Sequence, residues 1–129
     1  MGTVPPSMLS AVDKNAATQL DLSHNKLTGK FPVEFAAFKL LNIYLAANEI
    51  DELPKEVCFN LDWMNGMVGL AAAGQKCDAI LCKPGTFTPN GRQMHKSKAC
   101  KKCANLAEAL YYGSVACFDL TSKHERGGK

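Results

Sequence analysis

The sequence predicts an α/β fold in which short parallel strands stack as a solenoid and a small disulfide-rich, loop-rich cap closes one end. Two observations predict it. A phrase of eight residues occurs twice, at residues 20–27 and 43–50, with a shift of 23 residues. All six cysteines lie between Cys58 and Cys117, among turn-forming residues. A repeat of about 20 to 50 residues is typical of a solenoid, and an even number of cysteines in a small loop-rich region is typical of a disulfide framework.

The spacing of the apolar residues predicts one strand in each copy. Leu20 and Leu22 are two residues apart, as are Ile43 and Leu45, so each pair faces one side of an extended chain. This side should form the core, because a single coil cannot bury its apolar side alone and neighbouring coils must stack. We therefore expect the two strands to lie side by side in parallel. The predicted ligand-binding residues lie on the opposite, concave side: Gln19, Asp21, Ser23, Asn42, Tyr44 and Ala46.

An asparagine follows each predicted strand at the same position. The side chains of Asn25 and Asn48 can satisfy backbone groups that a turning chain would leave unpaired. The shared phrase, L-x-L-x-x-N-x-L, resembles that of leucine-rich repeats. The tail of the first copy, Leu27-Thr-Gly-Lys-Phe31-Pro32, resembles that of the plant-type subclass.

The N-terminal residues resemble the tail of a further coil. Residues 2–8 match residues 29–35, so the chain is expected to be the C-terminal part of a longer protein, with a native short protein as the alternative. The predicted domains are residues 1–76, which hold the partial repeats and a degenerate last coil, residues 77–122, a cysteine-rich module, and residues 123–129, a disordered tail. Residues 79–81, at the start of the module, are a candidate for the strand of that last coil. No apolar run reaches the ~18–20 residues of a membrane span, so none is predicted.

Two chemistries compete for the six cysteines. Three disulfides are favoured, because the count is even and the region is too rich in loops to bury a core of its own. Disulfides imply a secreted or cell-surface protein. The alternative is a zinc site in an intracellular protein, with Cys82, His95, Cys100 and Cys103 as ligands. Among the possible disulfide connectivities we expect nearest-neighbour pairing: Cys58–Cys77, Cys82–Cys100 and Cys103–Cys117.

The cysteine-rich region carries several recognisable phrases. They are Cys77-Asp-Ala-Ile-Leu-Cys82-Lys-Pro-Gly-Thr-Phe87, then Gly91-Arg92-Gln93, then Cys100-x2-Cys103, then Tyr112-Gly-Ser114 before Cys117. Together they resemble the C-terminal module of extracellular leucine-rich-repeat proteins in diatoms and related algae. The sequence departs from that pattern at residues 104–110, where a proline-rich loop is expected. The resemblance implies a secreted or surface recognition role without catalysis.

Composition and motifs exclude several classes of function. The net charge of +3 implies no particular partner. The chain lacks a Gly-x-Ser-x-Gly motif, a phosphate-binding glycine loop and a His-Glu-x-x-His motif, so neither an enzyme nor a cofactor is expected. Residues 79–107 contain six basic residues and no acidic one. Nucleic acid is not expected, because no aromatic residues alternate with these charges. A solubilising loop is the favoured explanation, and the alternative is an anionic partner bound by Lys96, Lys98, Lys101 and Lys102.

The predicted function is recognition at the cell surface or in the extracellular space. The ligand is a protein, peptide or glycan on the concave face, with Tyr44 as the best single anchor. Two alternatives are a purely structural C-terminal capping segment of a longer repeat protein and an intracellular zinc-stabilised scaffold.

Overall fold

The computed structural model describes residues 2–105 and 108–117, in which the strands form three separate two-stranded sheets. The strands and the α-helix are β1 Ala17–Asp21, β2 Thr28–Lys30, β3 Leu40–Tyr44, β4 Glu49–Glu52, α1 Met67–Leu70, β5 Thr86–Phe87 and β6 Lys101–Lys102. Turns of 3₁₀ helix follow β2 and β4 and precede β5, at Val33–Ala37, Lys55–Phe59 and Lys76–Ala79.

The two copies of the repeated phrase pair as parallel strands. In β1 and β3, Leu20 lies opposite Ile43 and Asp21 lies opposite Tyr44, which is the register that the repeat predicts. A second parallel pair forms from β2 and β4, while β5 and β6 are antiparallel. Ile43 is fully buried but Leu20 is half-buried, so the second copy contributes more to the core than the first.

The predicted leucine-rich-repeat solenoid is wrong, because in the described residues no sheet extends beyond two strands. Where a third strand would lie beside β3, residues 61–66 form a turn. Met64 and Asn65 have φ angles of 60° and 58°, in the left-handed region that a strand does not use. Residues 79–81, the predicted strand of a last coil, comprise the last residue of a 3₁₀ helix and the turn that follows it instead.

Prolines start three similar turns outside the sheets. Each proline carbonyl accepts a hydrogen bond from the backbone N–H three residues later, and the pyrrolidine ring favours this geometry by holding φ near about −65°. The match between residues 2–8 and 29–35 therefore reflects a shared local structure. The three bonds are Met8 N to Pro5 O, Phe35 N to Pro32 O, and Val57 N to Pro54 O.

A hydrophobic cluster joins the strand region to the cysteine-rich module. Phe35 makes edge contacts with Phe31 and Phe38, with ring centroids 5.1 and 6.2 Å apart. Trp63 is fully buried, and its Nε1 donates to Phe38 O at 2.7 Å, so the indole leaves no polar group unpaired. Leu81 of the cysteine-rich module belongs to the same cluster.

Asn48 is the polar centre of the strand region. Its Oδ1 accepts from Leu27 N at 3.0 Å, and its Nδ2 donates to Leu22 O and Leu45 O at 2.9 Å each. These bonds tie both copies of the repeat to one buried side chain. Asn25, the equivalent residue of the first copy, is exposed and donates only to nearby carbonyls.

The cysteine-rich module is closed by three disulfides, which confirms the prediction that the cysteines are bonded. Each bridge closes a short loop, and closing a loop of about 15 residues contributes roughly 3 kcal/mol in the chain-entropy account. The end of the predicted module and the predicted tail, residues 118–129, lie outside the described residues. The pairing is nearest-neighbour: Cys58–Cys77, Cys82–Cys100 and Cys103–Cys117.

Two glycines let the module pack closely against the strand region. Ala47 N donates to Gly113 O at 3.0 Å, and Gly113 N donates to Cys82 O at 2.8 Å. A Cβ atom on Gly91 would lie 2.5 Å from the Cβ of Ala46, which is closer than two carbons can approach. This contact brings the loop after β5 over the solvent-facing side of β1 and β3.

Candidate ligand-binding groove

A cavity of about 310 Å³ lies between the strand face and the loop after β5. It brings together four of the six residues predicted to bind a ligand: Asp21, Ser23, Tyr44 and Ala46. The loop supplies the facing wall, which the strand pattern does not reveal. Among the described residues, the lining consists of Asp21, Ser23, His24, Tyr44, Ala46, Pro89, Asn90, Arg92, Met94 and Val115.

The other two predicted residues lie nearer the start of the strands. Gln19 and Asn42 face each other in the register of β1 and β3, but neither lines this cavity. The Nδ2 of Asn42 donates to Asn65 Oδ1 at 3.0 Å. Asn42 is therefore engaged with the turn that replaces a third strand.

Arg92 connects the two walls of the cavity. Its guanidinium carbon lies 5.5 Å from the ring centroid of Tyr44, within the range of a cation–π contact. The Oγ1 of Thr88 holds the backbone of Arg92, accepting from its N–H at 3.0 Å and donating to its carbonyl at 2.9 Å. Burial lowers the pKa of Arg92, while its interaction with Tyr44 acts in the opposite direction.

The guanidinium of Arg92 has few partners among the described residues for its five N–H groups. Its Nη1 donates to Ala79 O at 3.4 Å. Within residues 2–105 and 108–117, the ion pair formed within 4 Å is Lys30–Glu52, so Arg92 has no carboxylate partner there. A half-buried guanidinium without a nearby carboxylate can bind a carboxylate or sulfate group of a ligand by donating hydrogen bonds to it.

A second cavity, of about 750 Å³, adjoins the first along the loop. Both are lined by Pro89, Asn90, Arg92 and Met94. We call the two cavities together the Arg92 groove. The second one adds Phe87, Thr88, His95, Ser97, Lys98, Ala99 and Lys101 to the lining.

The charges along the Arg92 groove are mostly positive. Among the residues that the structure describes, Arg92, Lys98 and Lys101 line it together with one carboxylate, that of Asp21. The hydroxyl and the backbone N–H of Ser23 donate to Asp21 Oδ1, at 2.6 and 3.0 Å, and these bonds lower the pKa of Asp21. This carboxylate is thus ionised at neutral pH and already hydrogen-bonded.

The four lysines predicted to form one anionic-partner surface are divided between two faces. Lys98 and Lys101 line the groove, whereas Lys96 and Lys102 line a different cavity beside Asp78. Lys101 and Lys102 are consecutive in β6, and consecutive side chains of a strand point to opposite faces. The alternation explains why Lys101 and Lys102 line different cavities.

The cysteines of the alternative zinc site belong to different disulfides. Cys82 is bonded to Cys100 and Cys103 is bonded to Cys117. His95 Nδ1 lies 3.0 Å from Ser97 Oγ. Because thiolates are the zinc ligands and these sulfurs are oxidised, the set does not form a zinc site. The carboxylate of Glu108 lies near the last disulfide, within 4.8 Å of both sulfurs, but those sulfurs are bonded to each other.

Comparisons do not place the chain in a family. No protein-family model, curated protein or solved structure matches it. The three disulfides are consistent with an extracellular location. Among the described residues, no helix has the length and hydrophobicity needed to cross a bilayer.

Sequence reasoning named Lys98 and Lys101 as contacts for an anionic partner but did not place the remaining loop residues opposite Tyr44. Arg92, Asn90 and Met94 lie more than 40 residues from Tyr44, and no repeat or spacing connects them. One available signal was the position of Arg92 in a turn-rich segment directly after Asn90-Gly91. An arginine held in a tight turn has a fixed backbone from which its side chain can reach a neighbouring element.

Proposed function

We propose that this protein is a secreted or cell-surface recognition module, without catalytic activity, that binds a protein, peptide or glycan in the Arg92 groove. The observation that carries the proposal is the stacking of Arg92 on Tyr44, with the guanidinium carbon 5.5 Å from the ring centroid, in a cavity that adjoins a second one. Aromatic and arginine side chains dominate the binding energy of many interfaces.

The environment of the groove supports a binding role over a reaction. Asp21 has a lowered pKa and is exposed, so it is poorly suited to hold and release a proton near neutral pH. The remaining polar groups, such as Ser23 and Asn90, can donate and accept hydrogen bonds to a ligand.

A binding screen with a matched pair of tyrosine variants tests the function. The disulfide-bonded 129-residue protein is applied to an array of neutral glycans, acidic glycans and peptides. We expect Tyr44→Ala to weaken the strongest interactions by roughly tenfold or more. Tyr111→Ala, at an exposed tyrosine outside the groove lining, should leave them unchanged.

Circular dichroism of both variants checks that each is folded. Binding that neither substitution weakens, or weakening by both to the same extent, would contradict a site at the groove. Failure of every class of probe to bind would contradict the recognition function.

The oxidising compartment is tested by counting thiols. We expect the protein isolated from its native source, unfolded without reductant, to contain no titratable thiol, because all six cysteines are paired. Six titratable thiols together with bound zinc would contradict a secreted or cell-surface location.

A further inference from the structure

Positive side chains line both cavities of the Arg92 groove. Arg92 stands where they adjoin, and Lys98 and Lys101 line the larger one. The guanidinium has one long hydrogen bond, to Ala79 O, and no carboxylate within 4 Å in the described part of the chain. A half-buried guanidinium has lost part of its hydration, which makes its charged form less favourable. An anionic group of a ligand would offset this desolvation free energy.

The number of positive charges in the groove favours a ligand with several anionic groups. Arg92 lines both cavities, and Lys98 and Lys101 line the second. A chain with repeated anionic groups offers one group to each of the three cations.

The sheet supplies side chains rather than a free strand edge to the groove. Asp21 and Tyr44 project from one face of β1 and β3, where they are opposite each other in register. One edge of β3 pairs with β1, and at the other edge Leu41 O accepts from Met64 N at 3.0 Å. A ligand in the groove lies over this face and contacts side chains, whereas the main-chain ladder that usually gives extended peptides their affinity forms along a strand edge.

We propose that the Arg92 groove binds a linear acidic polysaccharide, with one carboxylate or sulfate group on Arg92 and further anionic groups on Lys98 and Lys101. This inference rests on the proposed recognition function and names its ligand class. Tyr44 presents a ring surface to the sugar next to the anion, and Ser23 and Asn90 offer hydrogen bonds to its hydroxyl groups.

Two pairs of lysine variants separate the groove from the overall charge of the module. Binding of polygalacturonate, dextran sulfate and neutral dextran to the full chain is measured by calorimetry. Lys98→Gln and Lys101→Gln should each weaken binding of the acidic polymers by about two- to fivefold, as expected for exposed ion pairs. Lys96→Gln and Lys102→Gln remove the same charge from the other face and should have no effect.

Arginine variants test the anchor. Arg92→Gln should reduce affinity by roughly 10- to 100-fold, because it removes charge-assisted hydrogen bonds. Arg92→Lys keeps the charge but loses the planar fork, so it should recover only part of the affinity. Should Arg92→Gln fail to fold, Arg92→Lys and the lysine pairs still test whether the groove binds the acidic polymers.

The two acidic polymers identify the anionic group, since one carries carboxylates and the other sulfates; binding of either supports the proposal. Equal loss at both lysine pairs would overturn it in favour of non-specific attraction. Equally tight, Arg92-dependent binding of poly-glutamate would overturn it in favour of an acidic peptide. Tyr44-dependent binding of neutral probes alone would overturn this inference while leaving the recognition function intact.

Discussion

Replacing Gly91 by alanine should destabilise the packing between the strand region and the cysteine-rich module. Gly91 has a φ of 76°, and an added Cβ would lie 2.5 Å from Ala46 Cβ and 2.8 Å from Gly113 O. The left-handed backbone costs a residue with a Cβ roughly 1–2 kcal/mol. Overpacking against a rigid neighbour adds about 1–3 kcal/mol. We therefore expect Gly91→Ala to lower the free energy of unfolding by roughly 2–5 kcal/mol, a large part of the ~5–15 kcal/mol of a typical domain.

Gly74→Ala is the matched control. Gly74 has a φ of 85°, but an added Cβ would meet no atom within 4 Å. It reports the backbone effect alone, so the two variants should differ by the overpacking contribution, about 1–3 kcal/mol. Urea unfolding with the disulfides intact measures both, and we expect the midpoint of Gly91→Ala to lie roughly 1 M below that of Gly74→Ala.

A second substitution localises the clash. Ala46→Gly removes the Cβ that Gly91→Ala would meet, so the double variant should recover part of the lost stability. Recovery should be incomplete, because the carbonyl of Gly113 still lies 2.8 Å from the new atom. Equal midpoints for Gly91→Ala and Gly74→Ala would refute the close packing of module and strands.

Three further predictions concern single polar side chains. Asn48→Ala should lower the free energy of unfolding by roughly 2–4 kcal/mol, because three hydrogen bonds are lost. Asn25→Ala should lower it by under about 1 kcal/mol, since Asn25 is exposed and bonds only to nearby carbonyls. Equal losses for the two variants in urea unfolding would contradict the central role of Asn48. Ser23→Ala should raise the pKa of Asp21 toward its ordinary value, because the Ser23 hydroxyl donates to that carboxylate; a carboxyl ¹³C NMR titration measures this, and an unchanged pKa would count against the bond. Burial raises the pKa of Asp78 above 3.8, so the folded state binds the proton more tightly than the unfolded state, and stability falls as the pH rises above that value. Asp78→Asn should remove this contribution. The urea midpoint of the variant minus that of the unsubstituted protein should therefore increase from acid toward neutral pH. A difference that does not change with pH would contradict the burial argument.

The pairing of the strands was predictable because it depends on local pattern. Leu20 and Ile43 occupy equivalent positions of the repeated phrase, and the repeat aligned them in the correct register. The pattern did not predict where the pairing ends. Met64 and Asn65 adopt left-handed backbone angles that end the strand series, and their residue types do not require those angles.

The candidate site was half predictable for a similar reason. Asp21 and Tyr44 could be placed on one face from the alternation of side chains along a strand. Arg92 reaches that face only because Gly91 packs against Ala46, a contact between segments far apart in the sequence. Such contacts depend on the shape of both surfaces, which no short-range pattern encodes.

The placement of the three bridges has a mechanical consequence. Every disulfide joins cysteines at or beyond Cys58, so only non-covalent contacts resist extension of the first 57 residues. Stretched by its two ends, the protein should release that segment as one length of roughly 200 Å, at ~3.5 Å per residue. Most of the remaining chain lies within loops closed by the disulfides and contributes little further extension. Tension at the two ends would therefore unfold the strand wall of the groove while the disulfides hold the loop wall together.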